Sequence, residues 1–382
     1  MGQERLDLDG ILSDRGIRII VCCGSGGVGK TTTAAALAVR AAERHGRRTV
    51  VLTIDPARRL AQSMGLTELD NTPRPVPDVK PDNGGELHAM MLDMKRTFDE
   101  VVLTHTTQEK AEEIFANPFY QAMSSTFAGT QEYMAMEKLS QLAAIPQDRG
   151  GWDLIVVDTP PSRSALDFLD APKRLATFLD SRMLRILLAP ARAGGMSMLR
   201  VLGSSLNIFG RAMHKILGGQ LIGDLSTFVA SLDSTFGGFA DRAARTYQVL
   251  QAKQTAFLVV ATPEPDAIRE AGYFAGRLSE ERMPLAGLVL NRVHGLAVPA
   301  LSAERALAAA EALEAGSTAS AGLTAEVLLL HADLVRQVAR ESRIADRFRR
   351  AHPEVAVTAV PARAEDVHDL DGLREISASL TD

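Results

Sequence analysis

The sequence predicts an α/β fold, a doubly wound and mostly parallel sheet carrying an inserted α-helical subdomain. Three observations predict it. A glycine-rich phosphate-loop pattern, GSGGVGKTT from Gly24 to Thr32, directly follows an apolar run, Ile17 to Cys23. Short β-rich runs recur between helical stretches, and two long segments break that rhythm with helical patterning alone.

The β-rich runs are Ile17 to Cys23, Thr49 to Ile54, Leu87 to Leu92, Leu154 to Asp158, Thr255 to Ala261, Leu285 to Asn291 and Val355 to Val360. Alternation with helices argues for parallel strands covered on both faces. Ligands on such a sheet gather at the carboxyl ends of the strands, where every motif below lies. The helical interruptions then assign residues 1–96, 146–172 and 254–382 to the sheet domain. Residues 97–145 and 173–253 form the inserted subdomain.

Within the insert, Met198, Leu202, Leu206, Phe209, Met213 and Ile216 repeat at helical spacing, with Arg200, Arg211 and Lys215 among the polar positions. Such a stripe faces either a core or a binding groove. Met123, Met134, Met136, Met183, Met196, Met198 and Met213 all fall in the two helical segments, and flexible methionine surfaces suit varied apolar partners. Downstream, Pro299 to Ala315 and Leu323 to Arg350 read as helices around a weakly structured GSTASAG, Gly316 to Gly322.

At 382 residues, 46% apolar and 23% charged, the chain can bury a large core. Its net charge of −5 gives no footprint for nucleic acid, which is not expected as a main ligand. The only cysteines, Cys22 and Cys23, are consecutive on a strand, point to opposite faces and read as small core residues. The opening MGQERLDLDG is no signal peptide, so a cytoplasmic location is expected. Arg200, Arg211, Lys215 and Asp224 interrupt the greasiest region, so at most peripheral membrane contact is expected.

The chemistry starts in the loop. Gly24, Ser25, Gly26, Gly27, Val28 and Gly29 let backbone N–H groups converge into an anion cradle. Lys30 adds a point charge for β and γ phosphates, Thr31 offers its hydroxyl to Mg²⁺, and Thr32 leads into an Ala-rich helix, Thr33 to Glu43. A nucleoside triphosphate is the expected ligand. Trp152 to Asp158 is a buried strand ending in a carboxylate, and Asp158 suits Mg²⁺ through its water shell. Pro160 and Pro161 then force a non-helical loop where a γ-phosphate sensor would lie. Asp55, before Pro56 at the end of the second strand, has two open roles. It positions the attacking water, or it caps the following helix.

Together GSGGVGKTT, TIDPARRL (Thr53 to Leu60) and DTPPSRSALDFLDAP (Asp158 to Pro172) resemble the ATPase family of the arsenical-pump ATPase and the tail-anchored-protein targeting factor. That family shows G-K-G-G-V-G-K-T, S-T-D-P-A-H-S and D-T-A-P-T-G-H-T-L-R-F-L-x-x-P in the same order. The likeness continues through VLN, Val289 to Asn291, and VPARAEDVHDLDGL, Val360 to Leu373, and is closest to actinobacterial members. It implies a dimeric, Mg²⁺-dependent P-loop NTPase that hydrolyses ATP. By this resemblance Lys30 and Thr31 hold phosphate and Mg²⁺, Asp55 positions water and Asp158 senses Mg²⁺. Pro161 lies in the second switch, while Asn291 and Pro361 contact adenine. No N-K-x-D element reads guanine, so ATP is expected over GTP.

The departures shape the expectations. Ser25 replaces the lysine that crosses the family's dimer, Arg58 and Arg59 replace small or His residues, and Arg163-Ser164 replace Gly-His. The zinc-binding C-x-x-C and the arsenite thiols are missing, so neither zinc nor an iron–sulfur cluster is expected. The expected partner is a paralogous ATPase chain that supplies the lysine. A homodimer in which Arg58 or Arg59 replaces that charge is the alternative. The expected function is an ATP-driven switch whose helical subdomain holds a hydrophobic protein client. The alternatives are an energising subunit of an anion transporter, or a positioning or partition ATPase on a membrane or DNA surface.

Overall fold

The computed structural model describes residues 5–54, 59–117, 120–121, 130–160, 239–314 and 319–381. The chain divides into two compact units, one of Met1–Met91, Gln147–Ala165 and Leu250–Asp382, the other of Leu92–Pro146 and Leu166–Val249.

The first unit is built on a sheet of eight strands: β1 (Ile19–Cys23), β2 (Arg48–Thr53), β3 (Arg74–Pro75), β4 (Glu86–Met91), β5 (Leu154–Asp158), β6 (Thr255–Ala261), β7 (Leu285–Val293) and β8 (Val357–Pro361). Their order across the sheet is β3-β4-β2-β5-β1-β6-β7-β8. Only the β3–β4 pair is antiparallel. The strands β1, β5 and β6 are buried along their whole length, as expected where helices cover both faces. From β1 the chain moves outward through β2 and β4, returns at β5, then builds the other side through β6, β7 and β8. The carboxyl end of β1 is therefore a topological switch point, the usual ligand position in such sheets.

Helix α1 (Leu8–Ser13) precedes β1, and α2 (Lys30–Glu43) follows it. Ala34, Ala35, Ala36, Ala38, Ala41 and Ala42 of α2 are all fully buried, which lets the helix lie close between the sheet and its neighbours. One neighbour is the C-terminal helix α11 (Leu370–Thr381), which packs on α2. Arg374 of α11 forks onto Glu43, with Nη2 2.8 Å from Oε1 and Nε 3.1 Å from Oε2. A planar fork of this kind fixes direction as well as charge. At the same end of the sheet, just before β2, Arg47 is fully buried and donates to four carbonyls, those of Leu12, Asp14, Ile17 and Asp153. Burial lowers its pKa to about 10, while the carbonyl dipoles and the nearby Asp153 and Asp14 charges offset part of the cost of the charge.

The remaining described helices of this unit are α3 (Arg59–Ser63), α8 (Pro265–Glu280), α9 (Ala303–Glu314) and α10 (Ala319–Ala351), while α7 (Phe239–Gln251) leads into it. Pro265 at the first turn of α8 sits where a missing N–H costs nothing. Ala319 to Gly322 corrects the sequence reading of a weakly structured GSTASAG, because α10 begins inside it. Alanine at two positions, Ala319 and Ala321, and a long downstream apolar repeat outweigh the glycine.

The second unit contains α4 (Met94–His105), α5 (Gln108–Ala116) and α6 (Thr130–Ala144). Asp93 caps α4 by accepting from Arg96 N at 2.9 Å. Tyr120 is fully buried, donates to Asp99 Oδ1 at 2.6 Å, and packs edge-on against Phe98. Met134 and Met136 are buried core residues, so these two do not line an open surface. The stripe from Met198 to Ile216 and the other methionines of the insert lie outside the described residues. Among the described residues no helix is long and apolar enough to cross a membrane.

Candidate functional site

The loop between β1 and α2 takes a shape that side chains would obstruct. Gly24 has φ 150° and Gly29 has φ 96°. A Cβ on Gly24 would sit 2.1 Å from the Val260 carbonyl oxygen, and one on Gly29 would sit 2.2 Å from Asn291 Nδ2. Glycine is needed at both places on conformational and steric grounds. Gly29 is the N-cap of α2 and makes no side-chain cap, so the helix start offers its first N–H groups and its positive dipole end to an anion.

Lys30 is 7% exposed, and its Nζ donates to the Ser25 carbonyl oxygen at 2.8 Å. The ammonium therefore lies across the loop. Ser25 Oγ is buried and, among the described residues, has no hydrogen-bond partner. A buried hydroxyl without a partner fits a ligand oxygen at this point of the cradle.

Below the loop stands Asp158, fully buried at the end of β5. Thr31 Oγ1 donates to its Oδ2 at 2.7 Å, and Thr53 Oγ1 donates to the same oxygen at 2.9 Å. The parallel register sets Thr53 directly beside Asp158. Thr159 Oγ1 donates to the Cys22 carbonyl at 2.9 Å, which ties the chain after β5 to the centre of the sheet. A threonine hydroxyl and a carboxylate in this contact present hard oxygens side by side, the donor type Mg²⁺ takes. Burial and the nearby Asp158 charge raise the Cys22 thiol, and burial pushes Cys23 up to about 12. Both thiols stay protonated and offer no soft anion site.

The base-side residues of the sequence reading lie on β7 and β8. Asn291 Nδ2 donates to the Val28 carbonyl of the loop at 2.8 Å, and Pro361 ends β8 at an exposed position opposite Val293. Pairing between β7 and β8 shifts between Leu290 and Val293, and Arg292 takes φ 61° there. This bulge re-aims Asn291 towards the loop. Just beyond it, Glu341 of α10 accepts from His294 N at 2.9 Å and contacts His294 Nδ1 at 2.7 Å. Asp55, Arg58, Pro161 and Arg163-Ser164, with the Arg59 side chain, lie outside the described residues.

Residues 17–304 match the profile of the anion-transporting ATPase family, three-quarters of the chain including both β1 and Asn291. The chain belongs to this family. Among similar proteins, one of Chlorobaculum tepidum bearing the name of an arsenical pump-driving ATPase is 32% identical over 167 residues, 42% of this chain and 37% of that relative. The ATPase GET3 of Malassezia globosa is 28% identical over 168 residues, covering 44% of this chain and 46% of the relative. The Pyrenophora tritici-repentis protein named ATPase get3 is 24% identical over 293 residues, 75% of this chain and 76% of its own. The match thus spans less than half the length of the first two curated relatives. The sequence reading missed Thr53 and Glu341. Thr53 carries a signal in hindsight, a hydroxyl closing the strand that neighbours β5, whereas Glu341 looks like any charged residue on a long helix.

Proposed function

We propose that this member of the anion-transporting ATPase family is a Mg²⁺-dependent ATPase whose nucleotide cycle works as a switch. The observation that carries the reading is the Asp158 oxygen shared by Thr31 and Thr53 directly below a glycine cradle. In the proposed role the Gly24–Gly29 loop and the start of α2 hold the phosphates. Lys30 leaves the Ser25 carbonyl to pair with phosphate oxygens, and Asn291 keeps the loop in place by holding Val28. Mg²⁺ bound through Thr31 and Asp158 supplies charge neutralisation at the phosphates. Asp55 orients the attacking water or accepts its proton. Asn291 and Pro361 border the adenine.

The switch reading is supported by the presence of a second compact unit in the chain, which would hold a hydrophobic protein client in one nucleotide state. Ser25 stands where the resemblance implies a lysine crossing the dimer, and a hydroxyl cannot neutralise phosphate at that reach. A paralogous chain supplying the lysine, or Arg58 or Arg59 acting in a homodimer, fills the role. Anion export is less well supported, because the only two thiols of the chain are buried and protonated.

The test pairs hydrolysis with client binding. ATP hydrolysis should need Mg²⁺, and Lys30→Ala and Thr31→Val should each lose about 10²-fold or more while remaining folded. An apolar helical peptide should bind differently with ATP and ADP. Equal binding in both states removes the client role but leaves the ATPase reading standing.

A further inference from the structure

Helix α10 carries a row of exposed charges that the nucleotide site does not use: Glu326, Asp333, Arg340 and Arg347, at strict seven-residue spacing. That spacing keeps side chains on one edge of a helix that winds around another helix. The row runs about 30 Å along the axis, and its sign switches midway from acidic to basic. Residues seven apart are too distant to pair within the helix itself. Asp333 instead meets Arg336 at 3.2 Å, a contact that is 76% and 51% exposed and weakened by water. Arg343 and Arg350 spend Nε on the carbonyls of Ala339 and Asp346. Arg340 therefore lies between like charges at Arg336 and Arg343, and Arg347 between Arg343 and Arg350, which costs the lone helix stability. Beside the acidic half, Leu323 and Leu330 are 66% and 70% exposed.

We infer that a second copy of this chain covers this edge, with the two α10 helices antiparallel. Glu326 then meets the partner's Arg347, and Asp333 meets the partner's Arg340. A twofold axis makes each contact twice, as an isologous interface requires. The split in sign selects the occupant. A parallel copy sets like charges together, and an anionic polymer or lipid surface is drawn to one half and repelled by the other. The aliphatic stems of the basic half lie over Leu323 and Leu330 of the other copy and take them out of water. This pairing needs no nucleotide and is separate from the closure proposed above.

Sedimentation of the full chain without nucleotide at low salt should show a dimer. Glu326→Arg with Asp333→Arg makes the row wholly basic, and Arg340→Glu with Arg347→Glu makes it wholly acidic. Each double variant alone should pair about a hundredfold more weakly, with unchanged circular dichroism and nucleotide affinity. Mixed in equal amounts they should pair again, because an all-basic row meets an all-acidic one. Should either variant fail to fold, the wild type still decides, since raising salt from about 50 to 500 mM should dissociate it. A wild type that stays monomeric, a salt-insensitive dimer, or folded variants that do not recombine overturns the inference. So does a monomer that binds anionic vesicles or nucleic acid through this edge.

Discussion

The carboxyl ends of β1, β2 and β5 and those of β7 and β8 border the same site, yet they are built differently. On the side proposed to hold phosphate, Thr53 from the neighbouring strand and Thr31 from α2 converge on Asp158, and glycines clear the space above. On the base side the strand itself is irregular, with a register shift and Arg292 at φ 61°, and two contacts from distant segments hold it. Asn291 reaches the loop, and Glu341 anchors His294. The phosphate side organises charge around one buried carboxylate, while the base side organises position. Damage to the first should appear in chemistry, and damage to the second in affinity.

The largest expected effect comes from forcing the two sides together. Gly29→Ala places a methyl against Asn291 at a backbone angle alanine resists, so nucleotide binding should vanish and stability should fall by about 2–3 kcal/mol, read by calorimetry and thermal unfolding. Asn291→Ala should separate the sides. It releases Val28, so KM for ATP should rise about tenfold while kcat stays near wild type, and stability should drop by about 1 kcal/mol. An equal fall in kcat would show that Asn291 serves the chemistry after all. Glu341→Gln is milder still, because an amide oxygen still accepts from His294 N. ATP affinity should weaken about threefold, and the melting temperature should fall by about 2–4 °C. Smallest of all is acid sensitivity far from both sides. Arg40, with His45, lowers Asp9 to about 2, so its contribution is full above the ordinary carboxylate range and lost as pH falls towards 2. Asp9→Asn should therefore cost about 0.5 kcal/mol at neutral pH, measured by denaturant unfolding, because the Asp9 side chain is 40% exposed and water screens part of its pairing with Arg40.

The same contrast governs what can be read from sequence. All seven predicted strands reappear within a residue or two of their expected ends, because buried parallel strands are nearly continuous apolar runs. Lys30 and Thr31 stand at the start of α2 and Asp158 at the end of β5, the places the sequence pattern gives them, because a glycine loop between strand and helix fixes that spacing. The edge strand β3 was not legible, being two residues long with a proline. Nor was α1, a single short turn capped by Asp7. Glu341 stayed hidden for a different reason. It acts through a contact across 47 positions of chain, and no local pattern marks it.

In the proposed function Asp158 and Thr31 form the Mg²⁺ end of an ATP-hydrolysing site. The direct measurement is steady-state ATP hydrolysis against Mg²⁺ concentration for the wild type and Asp158→Asn. The wild type should hydrolyse ATP only with Mg²⁺, and Asp158→Asn should lose about 10²-fold in kcat and need more Mg²⁺, with its fold intact. Hydrolysis indifferent to Mg²⁺, or a variant as active as the wild type, would contradict the account.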